Sequence, residues 1–303
     1  MKSSRNKTID FDIEDGKEYL NRCVRAEDYK IGMTNVTILG DCFIALEKIA
    51  DSYVDLLIVD PPYNLNKNFH GGKFKKTADE EYENYTEKWI TAVKPKLKPT
   101  ASLYVCCDWE SSLVIGALLK KHFILRNRIT WGREKGRGAK ANWKNSMEDV
   151  FFATVSDEYY FNLDAVKLRK RVLAPYKENG KPKDWQETEA GKFRDTCPSN
   201  FWDDVAVPYW SMKENTAHPT QKPEKLLAKL ILASSKENDV VLDIFSGSGT
   251  TGVTAKKLKR RYIDIEQNPT YCAWAEKRLE IAETDDRIQG FEDGVFWERN
   301  SKK

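Results

Sequence analysis

An acid, two prolines and a tyrosine, Asp60-Pro61-Pro62-Tyr63, follow directly on the apolar run Val54-Asp55-Leu56-Leu57-Ile58-Val59. A buried strand ending this way presents a carboxylate, a backbone carbonyl and an aromatic face at one point. That trio suits a flat ring bearing an amino group. The plainer alternative is a strand that stops because proline cannot continue a sheet ladder, with Tyr63 as a lid on the core.

A second constellation lies almost at the other end of the chain. Phe245-Ser246-Gly247-Ser248-Gly249-Thr250-Thr251-Gly252 follows the apolar run Val240 to Ile244 and has glycines in G-x-G-x-x-G order. Glycines let a strand-to-helix turn close tightly and bring its N–H groups against a ligand. Asp264 and Glu266 end the next apolar run, where a carboxylate can accept hydrogen bonds from ribose hydroxyls. Glycines alone do not separate a dinucleotide from S-adenosylmethionine. The turn is rich in serine and threonine, and a methyl donor without phosphates needs no anion cradle at a helix N-terminus.

The elements that must position these residues alternate. Val36 to Leu39, Val54 to Val59, Ala101 to Cys107, Ile124 to Trp131 and Asp149 to Val155 read as strands. Cys42 to Ala50, Glu87 to Leu97 (with Pro95 as a breaker) and Ser111 to Lys121 read as helices. After an irregular stretch, a helix is expected over Pro219 to Ser235, then strand Val240 to Phe245, helix Thr250 to Leu258, strand Tyr262 to Ile265 and helix Pro269 to Ala282. The fold class is therefore α/β, a doubly wound and mostly parallel sheet covered on both faces. Asp41, Asp60, Gly247 and Glu266 all stand at strand ends, and such sheets bind ligands beyond the carboxyl ends of their strands.

This pattern divides the chain into an extension (1–32), a catalytic half (33–156), an irregular insertion (157–215), a cofactor half (216–285) and a tail (286–303). The extension reads as a charged segment with one short helix. A net charge of +3 does not by itself argue for nucleic acid, so such a case must come from where the charges lie. Six cysteines without a C-x-x-C pair, and three histidines, argue against a metal site. The start of the chain carries no signal-like apolar segment and no stretch is long enough to span a bilayer, so a reduced, cytoplasmic setting is expected.

With both motifs in place, the chain resembles the β class of DNA amino-methyltransferases, in which the catalytic motif precedes the cofactor motif. The resemblance runs from Val36 to Ala282 and includes Gly40-Asp41, Asp60-Pro61-Pro62-Tyr63, His218-Pro219-Thr220-Gln221-Lys222-Pro223 and the Phe245 to Thr251 loop. Ile244 stands where many relatives have proline, and Asp264 where many have glycine. The resemblance implies a Rossmann-like, S-adenosylmethionine-dependent fold with permuted motif order, and an inserted target-recognition region at 157–215. It implies that Asp41 meets the cofactor's adenine and Glu266 its ribose. The methionine part would fall to Phe245, Ser246, Gly247, Gly249, Thr250 and Thr251, with Thr220 and Lys222 closing over that end. Asp60, Pro61, Pro62 and Tyr63 would be catalytic. An acid at the first motif position is usual for adenine N6 in this family, and serine for cytosine N4. Family members are often dimers, which makes a homodimer the expectation.

Double-stranded DNA is the partner this implies, and two basic segments suit it. Arg126 to Lys144 carries Arg133, Arg137, Lys140 and Lys144, with Trp131 and Trp143 interleaved and glycines that make it loop-like. The loop from Asn66 to Thr77, with Lys67 and Lys73, follows the catalytic motif and is placed to close over a target. Three rivals stay open at this point: a cytosine-N4 methyltransferase, an NAD-dependent oxidoreductase, and a non-catalytic DNA-binding protein. The oxidoreductase leaves Asp60 to Tyr63 unexplained, and the binding protein has no need of a cofactor site.

Overall fold

The computed structural model describes residues 4–69, 72–74, 76–133, 140–173, 175–188 and 191–298, with side chains described in all of these except 67–69, 72–74 and 188. Nine strands form the main sheet: β1 (Val24–Arg25), β2 (Val36–Leu39), β3 (Val54–Val59), β4 (Leu97–Cys107), β5 (Ile124–Gly132), β6 (Met147–Thr154), β7 (Phe201–Trp202), β8 (Val240–Asp243) and β9 (Arg261–Glu266). Their spatial order is β1-β2-β9-β8-β3-β4-β6-β5-β7, and only β6 runs against its neighbours. The last two strands in sequence thus lie at the centre, next to β3. That is the permuted arrangement expected from the motif order.

Helices α1 (Cys42–Lys48), α2 (Asp79–Val93) and α3 (Ser111–His122) cover one face, while α4 (Glu224–Ser234) and α5 (Thr250–Lys257) cover the other. Strand β3 shows why both faces need covering. Its Leu57 and Val59 pack among the first set of helices, and its Leu56 and Ile58 among the second. A fully buried parallel strand is apolar on both sides, so it reads as a continuous apolar run rather than an alternation.

Several element boundaries differ from the sequence reading, most of them by one or two residues, and strand β4 starts at Leu97 rather than Ala101. Helix α2 begins at Asp79 rather than Glu87 and stops at Val93, after which Pro95 sits in a 3₁₀ turn. Its first turn is acidic, which favours a helix N-terminus but carries no apolar periodicity. Helix α4 starts at Glu224, because Pro223 at its N-cap is extended. The segment from His218 to Lys222 is therefore a loop, free to follow the sheet edge. The backbone between Asn66 and Thr77 holds a hairpin, Lys67–Phe69 paired with Gly72–Phe74. Its base is clasped by Asn64, whose side chain accepts from the Thr77 N–H at 2.8 Å and donates to the Thr77 carbonyl at 3.1 Å.

The insertion is also less irregular than its sequence. Leu168–Arg171, Gly191–Thr196 and Gln186–Thr188 form a second sheet, completed by the tail strands Val295–Trp297 and Phe291–Glu292. Insertion and tail thus build one unit, which packs Val166, Leu168 and Phe296 on the outer side of α4. This buries α4 all round. Its Lys229 Nζ donates to both Asp204 carboxylate oxygens at 2.7 Å, and Lys225 Nζ reaches the carbonyls of Asp204 and Trp297 at 2.8 and 2.6 Å. The extension docks on helix α6 (Pro269–Ile281), where Trp274 Nε1 donates to the Phe11 carbonyl at 3.0 Å.

Candidate active site

The carboxyl edge of the central strands opens into a cavity of about 890 Å³. It gathers Asp41 beyond β2, Asp60 to Tyr63 beyond β3, the glycine turn beyond β8, Glu266 at the end of β9, and Thr220 and Lys222 from the loop before α4. Residues separated by some two hundred positions in the chain thus line one space.

In the cofactor half, local geometry follows from three glycines. Gly247 has φ +53°, and a Cβ there would lie 3.0 Å from His218 Nε2, so this glycine lets the His218 loop come close. Gly249 (φ +73°) is the α5 N-cap and does not line the cavity; its Cβ would meet Ala275 Cβ at 2.5 Å. Gly249, expected in the cofactor loop, packs α5 closely on α6. Gly252 allows its N–H to donate to Asp264 Oδ2 at 3.1 Å. Glu266 accepts from the N–H groups of Gly247 at 2.9 Å and Asn268 at 2.7 Å, and burial raises its pKa. Ser246 and Ser248 line this cavity, and their hydroxyl oxygens are buried and without a hydrogen-bond partner. Such orphaned groups fit a polar ligand fragment such as an amino acid's charged end. Asp41 lines the cavity and also caps α1, accepting from the Phe43 N–H at 2.7 Å.

In the catalytic half, both oxygens of Asp60 are engaged. Oδ1 accepts from the Tyr63 hydroxyl at 2.6 Å and Oδ2 from Lys222 Nζ at 2.5 Å. Burial, with the Asp60 charge beside it, holds the Tyr63 phenol well above its ordinary pKa, so it stays a donor. Lys222, the residue expected at the methionine end of a cofactor, lines this cavity, where it ion-pairs with the motif acid and, at 3.2 Å, with Glu148 Oε2. Cys106 lines the same cavity with its thiol pushed up to about 12 by burial, which leaves it a poor nucleophile.

The basic segments divide. Arg126 to Gly132 is strand rather than loop, and Arg133 pairs with Glu148 instead of standing free for a phosphate. Lys140, Lys144 and Trp143 are exposed, Trp143 to 94%. Arg137 lies outside the described residues, as do the side chains of Lys67 and Lys73. Sequence reasoning missed Glu148, Asn268 and Tyr271. The last two line the cavity from the start of α6, and Asn268-Pro269, one residue beyond Glu266, was a readable signal for a capped helix there. No helix among the described residues is long and apolar enough to cross a membrane, and none of their His, Cys, Asp or Glu groups is arranged to hold a metal.

A permuted, mostly parallel sheet with a glycine turn and a strand-end acid beside a proline-locked carboxylate defines an α/β group-transfer enzyme with a nucleoside-type cofactor site. The chain belongs to the DNA methylase family, whose model matches residues 54–277. It is 35% identical over 265 residues to the DNA adenine methyltransferase YhdJ of Escherichia coli, covering 84% of this chain and 86% of that protein. It is 30% identical to the type II methyltransferase M.HpaI of Haemophilus parainfluenzae, over 84% of this chain and 76% of that one. Among solved structures, the PvuII DNA methyltransferase (cytosine-N4-specific) matches with a TM-score of 0.62 at 20% identity, covering 84% of this chain and 88% of that chain, a likeness of fold.

Proposed function

We propose that this protein methylates the N6 amino group of adenine in duplex DNA, using S-adenosylmethionine and a target base rotated out of the helix. The observation that carries this reading is the placement of Asp60 and its prolines in one cavity with the glycine turn and Glu266. The adenine relatives and the acid at the first motif position favour adenine over cytosine.

S-adenosylmethionine supplies a sulfonium methyl group that an amine can take by in-line displacement. In this reading Glu266 binds the ribose and Asp41 the adenine of the cofactor, while Ser246, Ser248 and Thr220 serve its methionine end. A base's exocyclic amine is a poor nucleophile because its lone pair is delocalised into the ring. Asp60 and the Pro61 carbonyl each accept one N–H, which draws the nitrogen towards sp³ geometry and turns its lone pair to the methyl. As the N–C bond forms, the nitrogen becomes more acidic, and Asp60 is placed to take the proton it sheds. Tyr63, oriented through its hydroxyl on Asp60, offers its ring face to the flipped base. Stacking of about 1–3 kcal/mol offsets part of the unpairing. Lys140 and Lys144 are proposed phosphate contacts, joined by Arg137, Lys67 and Lys73 from the basic segments. A homodimer is the proposed assembly, carried by the family resemblance and tested by sedimentation equilibrium.

The test is incubation with mixed-sequence duplex DNA and methyl-labelled S-adenosylmethionine, followed by digestion to nucleosides. Label in N6-methyldeoxyadenosine is expected. Label in N4-methyldeoxycytidine would reassign the base, and unlabelled DNA would overturn the enzyme reading.

A further inference from the structure

Lys222 Nζ sits between two carboxylates, paired by charge with both but hydrogen-bonded to only one. It donates to Asp60 Oδ2 at 2.5 Å, and Glu148 Oε2 is 3.2 Å away. That Glu148 oxygen is buried and accepts no hydrogen bond, while Oε1 is bound to the Arg133 guanidinium. The Lys222 and Glu148 side chains are only 8% and 6% exposed, so no bulk water relieves the unsatisfied oxygen. A strong acceptor thus stands in ion-pair contact with the ammonium, a short swing from hydrogen-bonding it.

Asp60 shows the opposite condition. Tyr63 and Lys222 engage its two oxygens, leaving no oxygen without a donor for an arriving amine. An ammonium on that carboxylate also opposes the positive charge that grows on the amine nitrogen as it takes a methyl group.

We propose that Lys222 is a two-position cation and that Glu148 is the positioning residue that receives it, freeing Asp60 Oδ2 when the target amine enters. This inference rests on the methyl-transfer reading above. Arg133, held to the other oxygen, orients Glu148 without competing for Oε2. Glu148 does not touch the reacting atoms; it acts by holding Lys222 away from them. Because this handover belongs to the reacting complex, it acts on kcat and not on ground-state binding of either substrate.

The experiment compares kcat, KM for DNA and cofactor Kd in wild type, E148Q, R133Q and the double variant E148Q/K222M, with melting temperatures as a folding check. E148Q is expected to lower kcat by about 10- to 100-fold, the range of a hydrogen bond to a charged group, with KM and Kd within about threefold. R133Q is expected to lower kcat by less than E148Q does, since Glu148 Oε2 still receives Lys222 although its carboxylate has lost the guanidinium that orients it. E148Q/K222M is faster than E148Q at saturating cofactor, because the cation stranded on Asp60 is gone. The paired variant R133Q/E148Q leaves no lone charge and carries the same kcat loss, which keeps the test readable if E148Q alone does not fold. Wild-type kcat in E148Q, an equal loss in R133Q, or a double variant no faster than E148Q would overturn the proposal. A wild type that methylates no DNA overturns the parent reading as well; one that does, with E148Q unimpaired, overturns this inference alone.

Discussion

Two groups of carboxylates share one edge of the sheet and are held in different ways. In the cofactor half, neutral donors do the holding. Asp243 accepts from the Thr251 hydroxyl at 2.6 Å and the Phe245 N–H at 3.0 Å, Asp264 from the Gly252 N–H, and Glu266 from two further backbone N–H groups. In the catalytic half, Asp60 is met by an ammonium and a phenol, both on side chains. A backbone donor cannot leave without opening its turn and the Thr251 hydroxyl is buried on a short side chain of α5, whereas the long Lys222 side chain can rotate away. The first set of acids is therefore frame, and Asp60 is the acid able to exchange partners.

The largest expected effect tests that division directly. Asp60→Ala removes the acceptor for the target amine and is expected to lower methyl transfer by about 10²–10³-fold or more, while cofactor affinity measured by calorimetry survives. Near-normal turnover would end the mechanism, and joint loss of cofactor binding would erase the distinction between the halves. In the frame, Gly252→Ala puts a Cβ at 2.3 Å from Asp264 Oδ2 and 2.9 Å from the Tyr262 ring. Such overpacking destabilises by about 1–3 kcal/mol, read as a lower melting temperature together with weaker cofactor binding. An unchanged melting temperature would mean that the frame is as adaptable as the catalytic edge.

Much of this contrast was legible in the sequence, for identifiable reasons. Strands β3, β8 and β9 are buried on both faces, so their apolar runs stand out, and the functional residues sit directly after them. Strand Val295–Trp297 left no such mark: it has three residues, and its pairing with Leu168–Arg171 joins segments far apart in the chain. Lys222 and Glu148 were hidden for the same reason, since no local pattern announces an ion pair made across the sheet edge. The start of α2 was missed because its first turn is acidic and exposed.

Tyr63→Phe sharpens the comparison on the catalytic side. The ring that stacks on the base is kept and one donor to Asp60 is lost. Turnover is expected to fall by about tenfold or less, as for a single net hydrogen bond, with cofactor affinity unchanged. A loss as deep as that of Asp60→Ala would show that the phenol does more than orient the ring, and would place it among the groups that handle the proton.

The smallest effect at acid pH is expected in the frame, and its pH dependence carries the information. Burial, reinforced by the nearby charges of Asp60 and Glu266, raises the Asp243 carboxyl to about 7. An acid whose pKa is higher folded than unfolded keeps its proton in the native state while the unfolded chain has released it. Its contribution is therefore fully present below the ordinary carboxylate range near pH 4, declines as pH rises, and is lost above about pH 7. Asp243→Asn keeps the shape and cannot ionise. Against wild type, its melting temperature should rise progressively from pH 4 to 7 and then hold a constant offset, as measured by thermal denaturation across that range. A flat difference would mean that Asp243 is already ionised in the folded protein. The acid beneath the glycine turn would then be held by charge as Asp60 is, and the two halves of the edge would no longer be built on different donors.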